Sequence, residues 1–153
     1  ERMAELVKAK LMDHDGLGID LDVCFNPKEF SVEKQVQWTR KEGSISDEPP
    51  EEFSKPTPAS LSVTLHFDTY EQKSSVVDTY TSKVEKLAMI ISESKKRPPL
   101  CSFVWGKFVF KGVVESLSQK FTMFLSDGTP VRCECTLKMK KASQAVTGKG
   151  GGK

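Results

Sequence analysis

The chain has 153 residues, 37% of them hydrophobic, and a formal net charge of +2. That length fits one domain with a core of its own. The near-neutral charge speaks against a dedicated nucleic-acid binder, and no apolar run reaches the roughly 20 residues that span a bilayer.

The small net charge hides an asymmetry. Through Pro58 there are 13 acidic and 8 basic residues, and from Ala59 on there are 8 acidic and 15 basic. One part of the chain could therefore complement another part of a neighbouring copy, since charge balance governs association more than fold. The four cysteines (Cys24, Cys101, Cys133 and Cys135) include no Cys-x-x-Cys pair, and only two histidines exist. A zinc site is not expected. All four lie in strand-like runs, where a thiol acts as a small buried hydrophobe, and a reducing compartment follows.

In chain order, VKAKLM (7–12) and IDLDVCF (19–25) alternate, the latter with Ile19, Leu21, Val23 and Phe25 on one inward side, and predict a hairpin about the turn DHDGLG (13–18). Asn26-Pro27 ends that pairing, because proline has no N–H to give. FSVEKQVQW (30–38) predicts a further strand. Residues 39–59 carry Pro49, Pro50, Pro56 and Pro58 among Glu, Ser and Lys. They read as a long loop reaching outward. ASLSVTLHF (59–67) predicts a strand with Leu61, Val63, Leu65 and Phe67 on one face and His66 at the surface.

A helix is predicted over 75–91. Val76, Tyr80, Val84, Leu87, Ala88 and Ile91 recur at helical spacing, Ser75 and Asp78 resemble a capping box, and Pro98-Pro99 forbid continuation. The stretch from Pro98 to Lys140 then supplies the remaining strands. The apolar parity of 107–121 changes after Glu115, which predicts a bulge or bend near Gly112. Asp127-Gly128 predicts a hairpin with a primed turn. VRCECTLKM (131–139) alternates without error, with Val131, Cys133, Cys135, Leu137 and Met139 inward. Residues 1–140 thus form one β domain. Residues 141–153 read as a flexible Gly/Lys-rich tail, or a linker to a further C-terminal domain. About seven antiparallel strands with one helix predict a barrel or sandwich.

The search for chemistry yields no catalytic, cofactor-binding or metal-binding residue. His14 between Asp13 and Asp15 reads as an exposed turn histidine. Cys133 and Cys135 point to the same face of one strand, into the core. Asp68, Glu71 and Asp78 read as helix-capping acids. Gly16-x-Gly18 belongs to the hairpin turn, and no G-x-S-x-G elbow is present.

Several stretches together resemble the tube-like domain of contractile injection system baseplate proteins, components of phage-tail-like particles that often carry a LysM domain after the tube-like part. The matching pieces are KAKL near the start, CFNPKEFSV (24–32) with Trp38, LSVTLHFDTYE (61–71) and RPPLCSFVWGKFVFKGVVESLSQKFTMFLSDGTPVR (97–132). No LysM-like segment is present between Lys140 and Lys153; either it lies beyond Lys153 or this member lacks it, so peptidoglycan binding does not carry over. The resemblance implies two packed antiparallel sheets forming a small barrel with one flanking helix. It also implies a structural, non-enzymatic protein: a hexameric ring between the central spike or hub and the inner tube, where it initiates tube assembly. Its partners would be copies of itself, spike, tube and other baseplate proteins. Assembly would occur in the bacterial cytoplasm, in a particle that is then released or anchored. Two other classes are a ligand-binding β-barrel of lipocalin type, with an internal cavity, and a hydrolase whose nucleophile and base meet only in space.

Overall fold

The computed structural model describes residues 6–36, 38–40, 51–53, 58–90 and 96–142. In chain order the strands are β1 (Lys10–Asp13), β2 (Asp20–Asp22), β3 (Phe30–Glu33), β4 (Trp38–Arg40), β5 (Glu51–Phe53) and β6 (Ser60–Asp68). A π-helical turn (Val77–Thr81) runs into α1 (Ser82–Lys86), and β7 (Cys101–Trp105), β8 (Phe108–Phe124) and β9 (Pro130–Lys141) complete the chain. Seven strands form one antiparallel sheet in the order β2-β1-β7-β8-β9-β6-β3. The expected two packed sheets are not present. A single sheet curls on itself, because the long strands β8 and β9 continue past their shorter neighbours and carry the sheet round.

The two ends of this sheet belong to one run of chain. Val23 still donates to the Ala9 carbonyl at 3.0 Å, extending β2 along β1. Two residues later Phe25 bridges to His66 of β6, and β3 then follows β6 from Phe30↔Val63 to Glu33↔Ser60. The run changes neighbour at Cys24, and side chains supply what the backbone does not. The Asn26 amide accepts from the Ala9 N–H at 2.9 Å and donates to the Val7 carbonyl at 2.9 Å. On the other side the Asp68 N–H donates to the Cys24 sulfur at 3.3 Å. Ala9 is fully buried, so a lost acceptor would strand its N–H. Asn26→Ala is expected to cost about 2 kcal/mol in urea unfolding. Asn26→Asp, which keeps that acceptor but not the donor to Val7, is expected to fall between Ala and wild type.

Aromatic packing closes the curl from inside. Phe30, on an outermost strand, meets the Phe103 ring edge-on at 5.6 Å and the Phe108 ring at 4.6 Å. Leu11, Leu61, Leu65, Phe67, Phe103 and Leu137, each at most 1% exposed, fill the interior. A barrel of lipocalin type would hold its cavity there. The inward set Val131, Cys133, Cys135, Leu137 and Met139 is fully buried, as the alternation of 131–139 requires.

The irregularity in β8 lies not at Gly112, which pairs regularly with Cys101 and Lys141, but between Val114 and Ser116, where Glu115 is the extra residue. It turns Leu117 back to the inner face, opposite Leu137. The β8–β9 turn spans Leu125–Thr129, with Leu125 N–H on the Thr129 carbonyl and Gly128 N–H on the Leu125 carbonyl. Only Gly128 is left-handed, with φ +92°, and Asp127 is not. The turn is therefore not the expected primed two-residue form but a longer loop ended by a left-handed glycine.

The helical segment is shorter than the predicted 75–91. The Ser75 hydroxyl accepts from the Val77 and Asp78 amides at 3.1 and 3.3 Å, as capping requires. The π-helical turn inserts one residue, which brings Thr81 as well as Val76, Val84 and Leu87 to the buried side. After Lys86 the amides of Leu87, Ala88 and Met89 bond carbonyls three residues back, which tightens and ends the helix. Met89 and Ile90 are exposed, so the apolar period no longer meets the core there. Ile91 lies outside the described residues.

Candidate assembly surfaces

The outer face of β6, β8 and β9 is built from short hydroxyls and charges. Ser118, Thr136 and Thr64 stand side by side across the three strands, and the two threonine hydroxyls lie 3.2 Å apart. Lys120, Glu134 and His66 form the next row, and Ser116, Lys138 and Ser62 another. Strict alternation puts these groups outward whenever the apolar set faces in. A shallow groove of about 420 Å³ crosses this face, lined by Lys28, Glu29, Ser31, Ser62, Thr64, His66 and Thr136 among others.

The segment 39–59, expected to be a loop, contains paired backbone. β4 and β5 form a separate two-stranded antiparallel sheet, with Trp38 opposite Phe53, Thr39 opposite Glu52 and Arg40 opposite Glu51. This β4–β5 arm lies between β3 and β6 in the chain and is not hydrogen-bonded into the seven-stranded sheet. Sequence reading missed it because Pro49, Pro50 and Pro56 masked two three-residue strands. The remainder of this segment, 41–50 and 54–57, lies outside the described residues, as do 143–153 of the tail.

A second cleft, of about 330 Å³, is lined by Phe25, Asp68, Tyr70, Glu71, Gln72 and Arg132. Asp68 does not cap the helix. It takes the Arg132 guanidinium at 2.8 Å and the Tyr70 amide at 2.8 Å. Burial alone would raise its carboxyl, but the Tyr70 amide and Arg132 outweigh that and hold it below the usual carboxylate range. Lys73 places its ammonium 3.8 Å from the Tyr70 ring centroid.

His14 is not a free turn residue. Its Nε2 lies 2.7 Å from the Ser102 hydroxyl, so a serine and a histidine do meet in space. Ser102 is only 2% exposed. The flanking acids serve the backbone: Asp13 accepts from the amides of Asp15, Leu17 and Ile19, and Asp15 from Arg97 and the Leu100 amide. The pair thus ties the β1–β2 turn to β7. Burial, aided by Lys111 and opposed by Asp13 and Asp15, pushes the His14 imidazole below its ordinary value. The folded state therefore prefers neutral His14. That contribution is complete above about pH 6.5 and is lost as pH falls through the ordinary value toward the lowered one. A second loss follows at lower pH, as Asp13 and Asp68, both held below 3.8, take up protons. Thermal melts are expected to show both steps, and His14→Gln is expected to remove the one between pH 5 and 7.

The thiols are held away from reactivity. Cys133 and Cys135 are fully buried with sulfurs 3.8 Å apart, and burial pushes both pKa values up. Cys101 is pushed up to about 12 by burial and by Asp13 and Asp15. Among the described residues no three His, Cys, Asp or Glu side chains gather to hold a metal ion. No helix among them is long and apolar enough to cross a membrane.

The geometry is one of surfaces: a separate two-stranded arm, a polar sheet face and an aromatic cleft. The family model described as contractile injection system tube protein matches residues 5–149, nearly the whole chain. The chain belongs to the contractile injection system tube protein family. The match includes the hairpin arm, the curled sheet and the β8–β9 hairpin, so all three surfaces lie on this tube-protein unit. No curated protein matches the chain. As a member of this family it is a structural component of a contractile injection system.

Proposed function

We propose that the protein forms a hexameric ring that joins the central spike or hub to the inner tube and starts tube assembly, with no covalent chemistry of its own. The observation that carries this reading is the tube-family match over 5–149 on a domain whose interior is filled and whose distinctive features project outward. A ring built head-to-tail uses two different patches on each subunit, and it closes only if the rotation between copies allows. The charge asymmetry of the chain suits such an interface.

In this reading residues 1–140 are the tube-like unit, and 141–153 are a tail or linker, toward a LysM domain in those proteins that have one. The ring assembles in the cytoplasm before the particle is released or anchored. The β4–β5 arm reaches a neighbouring copy or an adjacent ring, because a separate hairpin that leaves the sheet offers its faces to another molecule. Deleting 42–57 removes β5, and with it the β4–β5 pairing, and leaves β6, β8 and β9 in the chain. Particles carrying the deletion are expected to lack rings or to show altered tube length by negative-stain imaging. Normal rings with tubes of normal length would overturn the assignment of the arm. Failure of the wild-type protein to co-purify with spike or tube proteins would overturn the adaptor role.

A further inference from the structure

We propose that the cleft between Phe25 and Tyr70 receives the lysine-bearing end of β9 from a second copy of this chain, an inference that rests on the self-assembly reading above. Phe25 and Tyr70 are 56% and 42% exposed, although aromatic side chains of this size ordinarily go to the core. They line the same cleft, with the Asp68–Arg132 ion pair and the Glu71 carboxylate between them. Exposed aromatic rings beside an arginine are the composition of an interface centre.

The chemistry of the occupant is legible from the cleft. Lys73 on the Tyr70 ring demonstrates that an aromatic face here accepts an ammonium. Asp68 is engaged by Arg132 and the Tyr70 amide, which leaves Glu71 as the carboxylate best placed for a cation arriving from outside. The other end of β9 carries Lys138, Lys140 and Lys141, all exposed. Arg132, Lys138 and Lys140 project from the same outer face of that strand. Arg132 and Lys140 are about 26 Å apart along it, so a chain cannot bring its own β9 lysines to its own cleft. Only another copy can, and each copy that docks leaves a cleft and a lysine row free. The contact is therefore heterologous and repeats head-to-tail.

Charge reversal tests this on the full chain. Glu71→Lys and Lys140→Glu are each expected to weaken self-association about tenfold in sedimentation velocity, with thermal melting unchanged because both side chains are exposed. The double variant is expected to return association to near wild type. Tyr70→Ala is expected to weaken it without rescue by Lys140→Glu. Wild-type association with both single variants unaffected, or a double variant weaker than either single, would overturn the cleft assignment and leave the ring reading standing. A wild-type chain that stays monomeric alone and with co-expressed spike and tube proteins would overturn both.

Discussion

Phe103→Ala is expected to destabilise the protein by about 4 kcal/mol, with a fall in Tm of roughly 8–16 °C. Phe103 is fully buried on β7 and touches the rings of Phe30 and Phe108. Those rings come from an outermost strand and from a strand in the middle of the sheet order. Their meeting is the internal contact that holds the curled sheet shut. Truncation leaves a void at that contact, and Phe30, anchored by only a four-residue strand, keeps among the described residues the Phe108 and Trp105 rings as aromatic partners. Phe103→Leu, which keeps most of the volume, is expected to cost about 1 kcal/mol. Urea unfolding gives both values. A loss for Phe103→Ala no greater than that for Phe103→Leu would mean that the aromatic cluster does not close the sheet.

A single methyl at Gly112 is expected to cost about 3 kcal/mol. Gly112 lies opposite Cys101 on one side and Lys141 on the other, in the middle of three strands. A Cβ there would fall inside the Lys140 carbonyl group and 3.0 Å from the Lys141 Cα. Both obstacles are backbone, so neither can swing aside as a side chain would. The sheet must part locally, and the Ala142–Lys111 hydrogen bond of 3.1 Å at the same crossing is the first to go. Alanine's smaller unfolded-state entropy returns only about 0.4–1 kcal/mol. The check is the urea midpoint of Gly112→Ala. Wild-type stability would mean that the β8–β9 backbones do not approach as closely as described.

The strands that alternate cleanly were legible in the sequence. The pattern in 131–139 and in 59–67 sorted buried from exposed residues correctly, because period-two alternation reports directly on a sheet with one wet face. The β8 bulge was legible for the same reason, since a parity change has no other cheap explanation. Sheet number was not. Alternation is a local property, and one curled sheet and two facing sheets impose the same pattern on each strand. The helix was over-extended because helical spacing in the sequence continues past Leu87 and Ala88, whereas the exposed Met89 and Ile90 show the segment leaving the core there. The β4–β5 arm was hidden by its prolines. Of the candidate surfaces, Phe25 was assigned inward by parity with Ile19, Leu21 and Val23, yet it is exposed. The parity breaks at Cys24, where the run changes neighbour, and only the partner strands reveal that change. His14 was likewise misplaced, since Ser102 stands 88 residues away in the chain.

The seam at Cys24–Asn26 also bears on the order in which the protein is made. β1 pairs with β7 roughly ninety residues later in the chain. At ribosomal speeds that interval is about 5–20 s. The first hairpin to emerge therefore waits with an open edge, while β6, β8 and β9 need only one another to pair. β9 is the last strand made, so the sheet is complete only when it joins β8 to β6, and the newborn chain is most open to pairing with the wrong partner in the seconds before that.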